Sequence, residues 1–396
     1  MKRAAYLFCL SIAIAILQGC EAPPQKMALR WQIPIADNGN FYPIAHGEYL
    51  ILPSKCGSVD CIKKVDPQTG KTAWQWVDSA ALLQGIYYNH TPYLHQNTLV
   101  LPNGSDLIAI DLKNGKTQWV LRDTMSGASH LGGNGNLLTR SYTASDRKSC
   151  IARSFDLRTG RIINEYKLES GSDSVLLNLR SPNIYIAESG DTLCLAGLAA
   201  YVPRGGTDSF LEIWALGEEG HTFRPPILKN NPRGDCITKQ GVFGENGKTY
   251  WLAGNILFCI TPDDGRIAWK KELPRDMLSS KPYLTNGLLL LACEDEVLHA
   301  LDASNGETVW TCPIAGTPSR LFVEDNAIYL VGGSDQKLYC IDLSTGSLQH
   351  KYEARKEGFQ RLLWVGAHTL VLQEGTDWHA FALPDMELLP ATLPIY

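Results

Sequence analysis

One ten-residue phrase recurs along the chain and constrains the fold more than any other feature. It reads Val65-Asp66-Pro67-Gln68-Thr69-Gly70-Lys71-Thr72-Ala73-Trp74, then Ile110-Asp111-Leu112-Lys113-Asn114-Gly115-Lys116-Thr117-Gln118-Trp119. Clear copies begin again at Phe155, Ile260, Leu301 and Ile341, and degenerate ones at Ala215 and Phe381. Counted from the Asp position they fall at 66, 111, 156, 216, 261, 302, 342 and 382, with spacings of 45, 45, 60, 45, 41, 40 and 40. Self-similarity at such a period marks a repeat architecture whose unit holds about four short strands.

The phrase has a physical logic. An Asp closing one strand can accept hydrogen bonds from its own turn, and a Gly four residues on supplies positive φ before the chain reverses. Trp74, Trp119, Trp269 and Trp310 follow the Gly by four residues, which places them in the next strand, where an indole can pack between neighbouring sheets. β-rich runs such as 98–101, 288–291 and 327–331 precede the phrase, and helical periodicity is nowhere sustained. With 44% hydrophobic residues the chain must bury a core. Eight copies predict an all-β fold: an eight-bladed β-propeller of four-stranded antiparallel blades, in which each sheet buries both faces against its neighbours. Length alone would allow two or three domains, but the continuous repeat assigns residues 28–396 to one propeller.

This phrase resembles the tryptophan-docking repeat of pyrroloquinoline-quinone-type propellers. That superfamily holds both quinoprotein dehydrogenases and outer-membrane assembly lipoproteins of the BamB type. The resemblance spans roughly residues 28–390 and implies the fold rather than an activity, because the motif serves the structure in every branch. The dehydrogenases would bring an adjacent cysteine pair beside the quinone and acidic and amide ligands for calcium. This chain has no Cys-Cys pair. The resemblance therefore favours a non-catalytic protein without a cofactor, with quinone and calcium belonging only to the dehydrogenase alternative.

The last copy has Met386 where Gly is expected and Pro390 where Trp is expected. Residues 29–35, with Trp31, form a strand-like segment that no repeat precedes. The ring is therefore expected to close by this N-terminal strand becoming the outermost strand of the last blade, near His379 to Leu383. The alternative is completion by residues 388–393, next to which Pro390 and Pro394 remove ladder donors.

The first residues read as an address. Lys2 and Arg3 precede an apolar run over 4–17, which is shorter than the roughly 20 residues of a membrane span. Leu17-Gln18-Gly19-Cys20 resembles a bacterial lipobox, with Gln18 departing from its usual pattern; an ordinary secretory signal is the alternative. The resemblance implies a signal over 1–19, a lipid on Cys20 and a tether over 20–27. Glu21 rather than Asp after the Cys then points to the bacterial outer membrane, facing the periplasm. Losing Lys2 and Arg3 takes the formal charge from −5 to −7, so nothing favours a nucleic-acid partner.

Cys56 and Cys61 bracket a four-residue turn and could form a disulfide in an exported protein, or half of a metal clip. Cys259 and Cys340 stand two residues before the repeat Asp position, where Ala109, Ser154, Ala300 and Ala380 stand in other copies, and read as small buried fillers. Cys150, Cys194, Cys236, Cys293 and Cys312 show no ligand spacing, and Glu294-Asp295-Glu296 reads as a solvated turn, so no metal site is expected.

Two groups of residues are candidates for partner binding. The fourth repeat carries 15 extra residues around 200–209, read as a long loop with Tyr201, Arg204 and Asp208. The segments entering the inner strands carry Tyr42, His90, His130, Arg180, Lys281, Arg320 and Arg361, which would make the central funnel basic if they converge there. The expectation is a monomeric, lipid-anchored envelope scaffold that binds another protein. A quinoprotein dehydrogenase, or a glycan binder using Tyr87, Tyr88 and Tyr201, is the alternative.

Overall fold

The computed structural model describes residues 27–36, 41–77, 92–103, 106–122, 128–170, 175–186, 190–201, 207–215, 222–223, 226–231, 242–244, 247–253, 255–274, 282–316, 318–354, 358–366 and 368–383. The expected tether and the apolar run before it, with Cys20, lie outside them.

Eight antiparallel sheets form a propeller ring. Blade one comprises Ile44–His46, Tyr49–Cys56, Val59–Val65 and Thr72–Val77 from the centre outward. Blades two to seven repeat this order, and each sheet packs on the next through an apolar cluster. Between blades six and seven, for instance, Leu290, Leu298 and Trp310 meet Ile328, Leu330 and Ile341. Second and third strands are buried on both sides, as in Leu288–Ala292 and Val297–Asp302, whereas outer strands such as Lys116–Leu121 are largely exposed. The antiparallel order gives the ring two faces. The turn face carries the Asp–Gly turns and the turns between first and second strands. The loop face carries the inter-blade connections and the turns between second and third strands.

Each Asp–Gly turn does what the phrase predicts. The Asp302 carboxylate accepts from the Ser304 amide at 2.7 Å and its hydroxyl at 2.6 Å, and the Gly306 amide donates to Asp302 O. Hydrogen bonding from Ser304 holds the Asp302 carboxyl below its ordinary pKa, and Thr159 does the same for Asp156. A lowered folded-state pKa adds stability that is complete above the unfolded carboxylate value of about 3.9 and is lost as pH falls through the folded value. Asp302→Asn should therefore lower the urea midpoint at pH 7, and its difference from wild type should shrink as pH falls below the unfolded carboxylate value and through the lower folded one.

Every Trp of the phrase docks onto the turn of the following blade. Trp74 Nε1 donates to Leu112 O at 3.0 Å, Trp119 to Leu157 O at 3.0 Å, Trp269 to Ala303 O at 3.2 Å and Trp310 to Leu343 O at 3.0 Å. Each indole lies on the turn glycine, so a Cβ at Gly346 would sit 2.5 Å from the Trp310 ring. A small residue opposite the Trp, such as Ala109 or Ala300, leaves room for the ring beside the bulge that ends those third strands.

The ring closes by its N-terminal strand. Leu29–Pro34 pairs antiparallel with Asp377–Ala382 and completes the sheet that Arg361–Gly366 and Thr369–Glu374 begin. Trp31 then performs the docking that the last phrase lacks: its Nε1 donates to Pro67 O at 2.8 Å, and its ring lies on Gly70. Trp378 Nε1 donates to Pro53 O at 2.6 Å, and Ser54 Oγ to Pro34 O at 2.9 Å, tying blade eight to blade one.

The fourth repeat differs from expectation. Its extra residues do not form one long loop; they lengthen a hairpin whose strands run from Thr192 to Tyr201 and from Thr207 to Ala215. Nine consecutive pairs hold it, from Leu193–Ala215 to Tyr201–Thr207. The alternating apolar run Leu193, Leu195 and Ala196, Leu198 buries against both neighbours, which a free loop of that composition could not do. The outer edge of this blade comes in two pieces, Thr222–Phe223 and Pro226–Asn231, both paired with Thr207–Ala215.

Cys56 and Cys61 are joined in a disulfide on the loop face of blade one, with Cα atoms 5.8 Å apart and the Lys55–Asp60 ion pair, 3.1 Å, beside it. Closing so short a segment should contribute about 2 kcal/mol. The double variant Cys56→Ser, Cys61→Ser is expected to lose that much in denaturant unfolding, and reductant, which should lower the wild-type midpoint, should leave the variant's unchanged. The six other described cysteines, Cys150, Cys194, Cys259, Cys293, Cys312 and Cys340, form no disulfide and are buried.

Candidate functional site: the mouth of the central channel

The segment before each inner strand enters at the loop face. Ser319 is fixed there because its amide donates to Val331 O and its Oγ accepts from the amides of Val331 at 3.1 Å and Leu362 at 3.4 Å, which joins blades seven and eight. This anchors Arg320, the next residue. Its guanidinium lies 5.7 Å from the Tyr42 ring centre of blade one and 5.3 Å from that of Phe322. Blades seven and one are not neighbours, so Arg320 and Tyr42 meet across the channel mouth in front of blade eight.

Solvent reaches Arg320 from the mouth, while crowding by the channel wall lowers its pKa and Tyr42 and Tyr283 oppose that shift. A guanidinium keeps its charge throughout the neutral range. The mouth is thus a fixed positive charge held between aromatic rings, an arrangement suited to a carboxylate or other anionic group of a partner.

The sequence candidates divide as follows. Tyr42 and Arg320 come together. Arg361 is half-buried in the inner strand of blade eight, opposite Gln373, at the register that Tyr42 holds in blade one. His130 pairs with Ser141 and Arg180 with Gly197 in the inner strands of blades three and four, so their backbones belong to the same inner ring. His90, Lys281 and Arg204, like Tyr87 and Tyr88, lie outside the described residues. Tyr201 and Asp208 belong to the extended hairpin of blade four, where Asp208 pairs with Ala200. The Arg147 guanidinium, from the loop face of blade three, lies 5.7 Å from the Tyr201 ring centre.

Arg147, Tyr283 and Phe322 were missed by the sequence reading. A signal existed for the last two: Tyr42-Pro43-Ile44, Lys281-Pro282-Tyr283 and Arg320-Leu321-Phe322 place an apolar or aromatic residue two positions after each candidate, on the same face of an inner strand. Nothing in the sequence distinguishes Arg147 from other turn residues.

A family profile described as "Outer membrane protein assembly factor BamB" matches residues 29–201 and 212–361, most of the chain and both halves of the ring. The chain belongs to this family. Among solved structures, BamB from Moraxella catarrhalis is similar at 13% identity with a TM-score of 0.58, covering 90% of this chain and 99% of that one. The C-terminal WD40 domain of Sif2 gives 11% identity and a TM-score of 0.62, over 92% of this chain and 100% of that domain. The computationally designed Ika8 protein gives 11% and 0.56, over 91% and 98%. At such identities these likenesses speak to fold alone. No curated protein sequence matches the chain.

The adjacent cysteine pair that the dehydrogenase resemblance would place beside a quinone has no counterpart in the sequence. The six described cysteines outside the disulfide are buried, one each in blades three, four, five and seven and two in blade six. Burial pushes the Cys194 thiol up to about 12 and Cys340 up to about 11.

Proposed function

We propose that this BamB-family protein is a non-catalytic scaffold of the bacterial outer membrane, anchored by a lipid on Cys20 in the periplasm, that docks another envelope protein on its loop face. Membership of the family carries this reading. The polarity of the closing strand supports the orientation. Leu29 pairs with Phe381 at the turn face, and Pro34 pairs with Asp377 at the loop face, so the chain enters the ring from the turn face. Residues 20–27 can span under about 30 Å when extended. A lipid on Cys20 would hold the turn face towards the bilayer and leave Arg320, Tyr42 and Tyr201 pointing into the periplasm.

The test is photo-cross-linking of the tagged protein in its native envelope, with the reactive residue at position 42, 320 or 201 and, for comparison, at Asn305 on the turn face. A discrete adduct from the first three positions, weakened by Arg320→Glu and absent from Asn305, is the expected result. Adducts confined to Asn305 would reverse the orientation. A quinone absorption band with dye-linked oxidation of alcohols or sugars, on adding calcium and the quinone, would replace the scaffold reading with the dehydrogenase one.

A further inference from the structure

In the turn between the second and third strands of blade six, Glu294 and Glu296 are exposed, as the sequence reads them, while the Asp295 side chain turns inward. Cys293 continues the strand Leu288–Ala292, and its amide donates to Val297 O. Glu296, at φ 62°, reverses the chain, and Asp295 Oδ1 accepts the Val297 amide at 3.2 Å. This leaves Asp295 Oδ2 facing the third strand, 2.9 Å from His299 Nε2. The Cys293 sulfur, an Asp295 carboxylate oxygen and a His299 ring nitrogen all lie within 4.8 Å of one another.

Blade seven shows what the same turn does without such a cluster. Asp335 Oδ1 accepts the Lys337 amide, and Tyr339 Oη donates to Asp335 Oδ2 at 2.8 Å. Lys351, paired with Tyr339 in the ladder, brings its ammonium to 3.0 Å from Asp335. In blade six the residue paired with His299 is Thr311. A neutral side chain therefore stands where the lysine stands in blade seven, and Cys293 replaces Gly333. Blade six has lost the built-in cation beside its inward carboxylate and gained a second and third donor for an external one.

We propose that Cys293, Asp295 and His299 bind one divalent transition-metal ion, with zinc the best match, and that solvent or a partner group completes the coordination. Thiolate, imidazole and carboxylate together suit zinc rather than calcium or magnesium, which take oxygen donors. Bond lengths of about 2.0–2.3 Å place donors around a shared ion about 3.3–3.8 Å apart, within reach of small side-chain rotations from the arrangement seen. His299 and Asp295 are 10% and 16% exposed, so the site opens at the loop face. On binding, the Cys293 S–H bond breaks as the sulfur–metal bond forms, and the proton leaves to solvent; no oxidation or reduction is involved.

The experiment uses the full chain, stripped with a chelator and titrated with Co²⁺ and then Zn²⁺. We expect one equivalent of Co²⁺ to produce a thiolate-to-cobalt charge-transfer band, Zn²⁺ to abolish it, and one proton to be released per ion. Cys293→Ser should remove the band, and His299→Gln should weaken binding by at least about tenfold, while Asp335→Asn in blade seven should change neither. Protection of Cys293 by Zn²⁺ from alkylation in sub-denaturing urea, which opens the buried thiol of the stripped wild type, mapped by mass spectrometry, keeps the test decisive should a variant fail to fold. Absence of the band and of protection, or a band that persists in a folded Cys293→Ser variant, would overturn the site and leave Asp295–His299 as a turn lock only. None of these outcomes depends on the scaffold reading.

Discussion

Replacing Trp31 with alanine is expected to lower the unfolding free energy by about 3–5 kcal/mol, the cost of removing a buried indole from a packed interface. Trp31 is 8% exposed, and it packs among Leu50, Leu52 and Val65 of blade one and Val371, Trp378 and Ala380 of blade eight. Truncation removes that packing and leaves the Pro67 carbonyl without its indole donor. Its neighbours cannot collapse inward, because Leu29–Pro34 must keep its register with Asp377–Ala382 for the ring to close. Trp119, which is only partly buried and lies between two blades continuous in the chain, provides the comparison. Trp119→Ala should cost less, and calorimetry or denaturant unfolding of both variants would measure the difference. Equal losses would mean that the seam is no weaker than any other interface.

The second large effect is expected from Gly346→Val, at about 2–5 kcal/mol. Gly346 sits at φ 70°, where a β-branched residue is strained, and an added Cβ would lie 2.5 Å from Cε3 of Trp310, so the substitution fails twice. Gly287 separates the two costs: it has φ 74°, but a Cβ there would meet nothing within 4 Å. Gly287→Ala should show the backbone strain alone, about 1 kcal/mol, and Gly346→Ala the strain plus the clash. Thermal unfolding of the pair reads the difference directly; if the two alanine variants lose the same stability, the indole yields and the docking is looser than its geometry.

The architecture was legible because its determinants are local. Asp302, Gly306 and Trp310 act within nine positions of one another, and each reads as a turn acceptor, a positive-φ residue or a docking ring wherever the phrase recurs. Ring closure was legible by elimination, since Trp31 lacked a turn and the last turn lacked a Trp. The extended hairpin of blade four was not: Gly205 and Gly206 read as loop, whereas the ladder from Leu193 to Tyr201 is fixed by burial against adjacent sheets, which composition does not report. The channel mouth was legible as a set of basic and aromatic positions, but the meeting of Arg320 with Tyr42 depends on ring curvature. Cys293 and Asp295 read separately, as a cysteine without ligand spacing and as part of a solvated turn, because their convergence with His299 comes from a turn that redirects one carboxylate, and the spacing of the three matches no metal motif.

The seam also sets an order of events during biogenesis. Arg30 Nη1 donates to Thr369 Oγ1 across 339 positions, so the earliest-made strand waits for one of the last. Until both are present, blade eight has no outer strand and blade one has no indole on its turn, leaving two unsatisfied sheet borders that could recruit another chain. A nascent or half-exported molecule is therefore the form most in need of a holding chaperone.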